Sequence, residues 1–299
     1  MAGGLKEVRE RISSVTSTQQ ITRAMKMVSA SKLRRAADTI IQIRPYTLRL
    51  QEMLGHVLGS LGKDEMVGNT QFAEQRSPEK VLIVLITSDR GLCGAFNTNL
   101  IKTAETLIHE KYSAQDAAGN VQLLTIGKRG FDALKDHDRA VNSTFVQLFH
   151  HLSFDESKKA TNYILSAFKN YDVDRVEVVF AEFKNAAVQT IKGEQFLPVK
   201  LPEVDTALET AFRPDYLFEP DKQKLLDELV PKILRSQFHR YLLDNNASEH
   251  GARMMAMEQA TENANELLKE LRLSYNRARQ AAITTEISEI VGGSAALEG

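Results

Sequence analysis

Residues 80–96 read KVLIVLITSDRGLCGAF, and this stretch decides the fold of the central part of the chain. The six successive apolar residues at 81–86 are typical of a buried strand. A turn with two glycines, Gly91 and Gly94, comes next, and the residues after it predict a helix. A buried strand that leads through such a turn into a helix is a common setting for an anion site. The stretch therefore raises the question of whether residues 87–96 form an active-site loop.

The loop lacks the features that a dinucleotide site needs. Its glycines do not have the three-glycine spacing, and no acidic residue is suitably placed for a ribose. Cys93 has no histidine within 14 residues on either side, so a small buried side chain is a simpler interpretation than a nucleophile. We predict a tight turn that presents Asp89 and Arg90. Together with Cys93, these residues are a candidate contact with a partner.

Strand and helix patterns alternate after this loop. Strands are predicted at 80–89, 121–127, 175–185 and 188–199, and helices at 97–112, 128–136 and 155–171. The last two strands are predicted to form a hairpin at one edge of the sheet. Because strands that alternate with helices favour a parallel sheet, residues 77–205 are predicted to form a Rossmann-like α/β domain.

Long helices are predicted on both sides of this domain, at 1–61 and 208–299. In each of them, apolar residues recur at alternating spacings of three and four, which is typical of a coiled-coil seam. The seam residues of the first helix are Leu5, Val8, Ile12, Val15, Leu33, Ala36, Ile40, Ile43, Leu50, Leu54, Val57 and Leu61. Those of the second helix are Leu226, Leu229, Ile233, Leu234, Met254, Met257, Ala264, Leu268, Leu271, Tyr275, Ala278 and Ala282.

Neither helix can bury its apolar stripe alone, so we predict that they wrap around each other as a long antiparallel coiled coil. A period near 3.5 residues predicts a left-handed supercoil. The charges agree, since residues 11–37 contain six basic and no acidic residues, whereas a glutamate recurs at every fourth position from Glu258 to Glu270. We expect Pro45 to bend or end the first helix locally and Pro231 to kink the second. Asp221 is a candidate cap for the second helix.

The middle of the first helix departs from this pattern. Its seam positions hold polar residues, and the apolar residues move one position round the helix. The polar seam residues are Gln19, Thr22, Lys26 and Ser29, and the displaced apolar residues are Ile21, Met25 and Val28.

The C-terminal helix is predicted to extend about 20 residues, or about 30 Å, beyond the start of its partner. Its last stretch, RQAAITTEISEIVGGSAALEG, begins at residue 279, and the helix is expected to run until Gly292 and Gly293. Such a small, weakly polar tip would fray alone in water. We therefore expect it to lie inside another structure.

Composition excludes several classes of protein. The net charge is −1, and the basic run from Arg23 to Arg35 has no interleaved aromatic residues, so no nucleic-acid partner is expected. The single cysteine, Cys93, rules out an internal disulfide and a four-cysteine zinc site. His150 and His151 lack companions for a metal site. No apolar run approaches the roughly 20 residues that span a bilayer, and no signal or transit peptide is expected.

Three stretches resemble the gamma subunit of the F-type ATP synthase, of the bacterial type. They are ITRAMKMVSASKLRRA (21–36), TSDRGLCGAFN (87–97) and SEHGARMMAMEQATENANELLKELRLSYNRARQAAITTEISEIVGGSAAL (248–297). The resemblance covers the chain in order, from N-terminal helix through Rossmann-like domain to C-terminal helix.

The resemblance implies a central-stalk rotor subunit without a catalytic site or cofactor of its own. It implies a shaft of paired helices inside a hexamer of three alpha and three beta subunits, with the globular domain beside the epsilon subunit and the membrane c-ring. Ion flow would turn the ring and the shaft, and the shaft would drive the catalytic sites of the beta subunits. The implied location is the cytoplasmic face of the bacterial inner membrane, with the matrix side of the mitochondrial inner membrane as the alternative.

The resemblance also implies two groups of coupling contacts. Met25 and Arg253 would lie at one level of the shaft and face the beta subunits. Gln280, Thr284 and Glu286 would contact a loop of one beta subunit, and residues beyond Val291 would lie in a sleeve formed by alpha and beta. Two other classes remain open at this point, a passive coiled-coil tether and a Rossmann-type enzyme.

Overall fold

The computed structural model describes residues 2–59, 71–136, 139–199 and 222–298. In chain order, the elements are helix α1 (Ala2–Gly59), strand β1 (Val81–Ile86), helices α2 (Phe96–Lys111) and α3 (Ser113–Ala117), strand β2 (Val121–Ile126), helix α4 (Lys128–Leu134), strand β3 (Ala140–Asn142), a 3-10 helix (Leu148–His151), helix α5 (Phe154–Lys169), strands β4 (Arg175–Phe183) and β5 (Gln189–Leu197), and helix α6 (Lys222–Glu298).

These elements form two compact units. The first unit contains the residues up to Ala30 and those from Arg253 onward, and the second contains residues 31–252. The predicted division into residues 1–61, 77–205 and 208–299 remains a prediction. Its boundaries at residues 61, 205 and 208, like the predicted cap Asp221, lie outside the described residues.

The second unit contains a five-stranded sheet in the order β3-β2-β1-β4-β5. Strand β1 pairs in parallel with β2 and β4, and β2 pairs in parallel with β3. Among the strands in the described residues, only β5 is antiparallel, and it forms a hairpin with β4 at the edge of the sheet. The predicted mostly parallel sheet with an edge hairpin is therefore confirmed.

Strand β1 is buried along its whole length because helices cover both faces of the sheet. Successive residues of β1 face opposite sides of the sheet and pack against different layers of helices. Ile83 and Leu85 pack with Leu100 and other apolar residues of α2. On the opposite face, Val84 packs with apolar residues of α5 and of the 229–242 segment of α6.

Helix α6 also satisfies backbone groups of the sheet. Strand β4 continues past Val179, the last residue that pairs with β1, and leaves Ala181 without a neighbour on that side. The Ala181 N–H donates to Asn245 Oδ1 at 3.1 Å, and Ser248 Oγ donates to the Ala181 carbonyl at 3.1 Å. Two side chains of α6 thus replace the missing strand, because buried backbone groups need partners.

In the first unit, residues of α1 and α6 pack side by side and run antiparallel. Arg9 Nη2 donates to Tyr275 Oη at 2.9 Å, and Lys26 Nζ lies 2.6 Å from Glu258 Oε1, so the residue number on α6 falls as that on α1 rises. The predicted seam residues Leu5, Val8, Ile12 and Val15 are half-buried along this contact. This confirms the predicted antiparallel packing of the two helices here.

Both long helices continue through residues that we expected to interrupt them. Helix α1 does not end at Pro45, whereas a local bend there and the kink at Pro231 stay predictions. In the second unit, Thr47 and Leu50 are buried, and this packing offsets the one hydrogen bond that a proline removes. Helix α6 runs past Gly292 to Glu298, so the expected end at the two glycines is wrong. A glycine costs about 1 kcal/mol relative to alanine in a helix, which weakens the helix without ending it.

Candidate functional site

The turn between β1 and α2 is held together by its own polar side chains. Asn97 Oδ1 accepts from the Ser88 N–H at 3.0 Å, and Ser88 Oγ donates to the Arg90 carbonyl at 2.7 Å. Asn97 Nδ2 donates to Cys93 Sγ at 3.2 Å. These groups determine the shape of the turn.

The turn presents Leu92 and not Cys93. Leu92 has a φ of 63° and is 64 % exposed, although this backbone region is unfavourable for a residue with a side chain. Cys93 is 2 % exposed and belongs to the apolar layer beneath, which agrees with the expected small buried side chain, and its place in the candidate contact loop stays a prediction. Sequence reasoning missed Leu92, although its place between two turn glycines was a usable signal.

Asp89 and Arg90 differ in their surroundings. Asp89 Oδ1 accepts from the Lys128 N–H at 3.3 Å, and its other oxygen lies 3.5 Å from His150 Nε2. The carboxylate therefore caps the start of α4 and is half-buried. Arg90 is exposed. Its side chain, with that of Leu92, forms the outer surface of the turn.

Met25 and Arg253, predicted to lie at one level, both belong to the first unit. Met25 is half-buried and adjoins Lys26, which pairs with Glu258. Arg253 precedes Glu258 by five residues, which is about 7.5 Å along a helix, so the side chains of Arg253 and Glu258 lie on different turns of α6. Arg253 is 8 % exposed, so most of its surface contacts its own chain. Its role in coupling stays a prediction.

The predicted trio at the tip of α6 is exposed. Gln280, Thr284 and Glu286 all lie on the surface, and Thr284 Oγ1 donates to the Gln280 carbonyl at 2.9 Å within the helix. Large apolar residues share this surface, and they are Ile283, Ile287, Ile290 and Val291. In the described residues, α1 begins at Ala2. Because Arg9 pairs with Tyr275, the contact of α1 with α6 is expected to end near residue 282 of α6.

A serine and a histidine form a buried pair that the sequence did not reveal. His239 Nδ1 lies 2.6 Å from Ser157 Oγ, and the ring of Phe154 meets the imidazole edge-on. Ser157 Oγ donates to the Ser153 carbonyl at 2.5 Å, which is compatible with a His239 that donates from Nδ1. Both side chains are buried, so the pair holds α5 against α6 in the second unit.

This histidine gives the second unit a pH-dependent stability. Burial lowers the pKa of His239 from 6.5 to about 4, so the unfolded chain takes up a proton between these pH values and the folded chain does not. We expect the free energy of unfolding to fall by up to about 3 kcal/mol as the pH decreases through this window. Chemical denaturation at a series of pH values from 7 to 4 measures this change in the free energy of unfolding.

The comparison variants are His239→Asn and His151→Asn. The first should lose most of this pH dependence, and the second should keep it because His151 is exposed. Equal pH profiles for wild type and His239→Asn would show that another group is responsible.

The described residues contain no cluster of three or more His, Cys, Asp or Glu side chains that could hold a metal ion. Nowhere in that part of the chain does a helix carry the sustained apolar stretch that a membrane crossing requires.

Comparisons with solved structures support the fold. Over 99 % of its length, the chain is similar to a chain in the cryo-EM structure of the Euglena gracilis mitochondrial ATP synthase, which includes F1 and the c-ring, with 95 % of that chain covered, a TM-score of 0.61 and 22 % identity. A chain in the central stalk and c-ring structure of the Tetrahymena thermophila enzyme gives a TM-score of 0.55 at 24 % identity, with 80 % of this chain and 99 % of that one covered.

Sequence comparisons are more specific. The family model described as ATP synthase matches residues 4–297. The ATP synthase gamma chain of Cytophaga hutchinsonii is 52 % identical over 293 residues, which cover 98 % of each chain. That of Chlorobium luteolum is 48 % identical over 294 residues, with 98 % of this chain and 99 % of the relative covered. Since nearly the whole chain is matched at this level of identity, it belongs to the family of ATP synthase gamma chains.

Proposed function

We propose that the chain is the central rotor shaft of an ATP synthase and couples ion flow through a membrane ring to catalysis in other subunits. Its partners would be the alpha and beta subunits of the catalytic hexamer, the epsilon subunit and the c-ring. It would contribute no catalytic residue. The complex would hold it at the cytoplasmic face of a bacterial inner membrane.

The exposed tip of α6 is the observation that carries this proposal. Ile283, Ile287 and Val291 expose much of their surface, and the described part of α1 offers them no cover. Exposed apolar side chains at successive turns of a helix favour a surrounding partner. Few charges lie on this tip, which suits a surface that turns inside a sleeve without fixed ion pairs.

The basic side of α1 supports the same proposal. Arg23, Arg34 and Arg35 are exposed, and no acidic residue occurs between positions 11 and 37. Exposed charges of one sign attract acidic partner segments and steer their approach. A rotor would use such contacts to exchange force with the beta subunits.

Rotation tests the proposal directly. Lys102 is exposed on α2 in the second unit, so Lys102→Cys in a Cys93→Ser background accepts a visible probe without disturbing either long helix. In a complex assembled with alpha and beta subunits, the probe should rotate in one direction during ATP hydrolysis. Hydrolysis that did not depend on the chain would contradict the proposal and favour a passive tether.

Met25→Lys should uncouple ATP hydrolysis from proton pumping and leave assembly intact. The new ammonium would lie near acidic beta-subunit residues and form an ion pair that must break at each step. A pair worth about 1.5 kcal/mol slows that step about tenfold. Proton pumping per ATP hydrolysed, measured in vesicles, should therefore fall.

Met27→Lys is the matched control, because it adds the same charge two positions along α1, where Met27 is 62 % exposed. We expect near wild-type coupling from it. Unchanged coupling in Met25→Lys, or equal losses in both variants, would show that Met25 is not a specific coupling position.

A further inference from the structure

The middle of the helix pair in the first unit is joined by three polar contacts. Thr22 Oγ1 lies 2.8 Å from Thr261 Oγ1, and Lys26 Nζ lies 2.6 Å from Glu258 Oε1. The third contact runs from Gln19 Nε2 to Asn265 Oδ1. We call these three pairs the polar ladder.

On α1, the ladder residues occupy the positions that an ordinary coiled coil fills with apolar residues. Thr22 and Ser29 are buried at the seam, whereas Ile21 and Val28, one position away, are 59 % and 56 % exposed. Over these turns, α1 therefore buries the polar residues Thr22 and Ser29 and exposes the apolar residues Ile21 and Val28. This arrangement sacrifices apolar burial at the seam, so the polar residues need another explanation than stability.

Register is the property that polar pairs provide and apolar layers do not. When two apolar seams slide past each other by one heptad, apolar residues again face apolar residues, and little is lost. The same shift along α6 sets Lys26 opposite Asn265 and Thr22 opposite Leu268. Thr22 and Lys26 would then lose their partners in partly buried places, which is costly.

We infer that the polar ladder determines the axial register of α1 against α6 in the first unit. The contacts across this pair agree on one alignment to within one residue, since the residue numbers sum to 284 for Arg9 with Tyr275 and for Lys26 with Glu258, and to 283 for Thr22 with Thr261. The ladder thereby keeps the exposed residues Ile21 and Val28 and the half-buried Met25 at a defined height against α6. The inference concerns the helix pair itself and does not depend on the proposed rotor function.

The test uses disulfides as reporters of register in the full-length chain with Cys93→Ser. Ile12→Cys with Leu271→Cys reports the observed register, because it has the same offset as Thr22 with Thr261. Ile12→Cys with Ala278→Cys, or with Ala264→Cys, reports a shift of one heptad in either direction. All four positions belong to the predicted apolar seam.

Two sets of substitutions are then compared. The ladder variant carries Gln19→Leu, Thr22→Val, Lys26→Leu, Glu258→Leu, Thr261→Val and Asn265→Leu. The control variant makes six similar polar-to-apolar changes at exposed positions of the same helices, namely Thr18→Val, Gln20→Leu, Arg23→Leu, Gln259→Leu, Glu262→Leu and Asn263→Leu.

With the ladder intact, mild oxidation should give the native disulfide in at least about tenfold excess over either shifted one. The control variant should keep that ratio. In the ladder variant, the shifted disulfides should approach the native yield while the melting temperature stays equal or rises. An unchanged ratio in the ladder variant, or shifted disulfides in the unsubstituted ladder, would overturn the inference.

A charge exchange provides a second test that does not rely on the ladder variant with its six substitutions. Lys26→Glu alone places two carboxylates together and should raise the shifted yields. Adding Glu258→Lys should restore the native ratio. If Lys26→Glu lowered the melting temperature without changing the disulfide ratio, the ladder would stabilise the pair and not set its register.

Discussion

Ending the chain before Gln280 is expected to lower ATP hydrolysis by the assembled complex about tenfold or more, and to leave the melting temperature of the isolated chain nearly unchanged. The deletion removes Gln280, Thr284 and Glu286, whose side chains are exposed. Contacts that form and break at every catalytic step should be modest hydrogen bonds, each worth about 0.5–1.5 kcal/mol. Losing all three contacts together would raise the activation free energy of ATP hydrolysis enough to give the expected tenfold loss in rate.

A shorter truncation is the control. Ending the chain after Val291 keeps the trio and removes only the end of the tip, so folding should be intact and the loss of hydrolysis partial. Both truncations are compared by the rate of hydrolysis of the complex and by thermal melting of the chain. Equal losses of activity, or a large fall in melting temperature, would show that the tip is a folding element and not a contact surface.

Gly127→Ala should destabilise the second unit by about 3–5 kcal/mol. Gly127 has a φ of 94°, and an added Cβ would lie 2.2 Å from the Thr87 carbonyl oxygen. That oxygen is backbone at the end of the buried strand β1, and Thr87 Oγ1 also accepts from the Gly130 N–H at 2.9 Å. Neither group can move without disturbing the start of α4, so both conformational strain and overpacking oppose the substitution.

Gly119→Ala separates these two causes. Gly119 has a φ of 73°, yet nothing lies within 4 Å of a Cβ added there. Gly119→Ala should lower the free energy of unfolding by only about 1 kcal/mol, or the melting temperature by about 2–4 °C. Gly127→Ala should lower the melting temperature several times more. Similar values for the two variants would mean that the close approach to Thr87 is relieved at little cost.

The strands and long helices were predictable from sequence because their signals are local. Residues 81–86 are typical of a buried strand, and they form one that packs between two layers of helices. The seams of α1 and α6 predicted an antiparallel pair, which the first unit contains. Three short elements were not predicted, namely α3, β3 and the 3-10 helix. They lie in the stretches with the weakest sequence patterns. Short elements are held by tertiary contacts more than by their own propensity.

The candidate site was less predictable because its features depend on exposure and on residues distant in sequence. The residue types at 87–97 predicted a turn, but only the packed turn places Leu92 outside and Cys93 inside. Nothing local to Ser157 or His239 indicated that they would meet, since 82 residues separate them. The low pKa of His239 follows from its burial, which is a property of the folded unit alone.

The sequence by itself determined the order of the long helices and of the main strands between them, the family and the existence of a polar interruption in the seam of α1. Periodicity and motif are properties of residues close together in the chain, and a single sequence contains them. Only the tertiary structure decided that Gln19, Thr22 and Lys26 find polar partners on α6 while Ile21 and Val28 face outward. A polar residue at a seam is a defect or a specific contact depending on what lies opposite, and that depends on the alignment of two segments more than 200 residues apart.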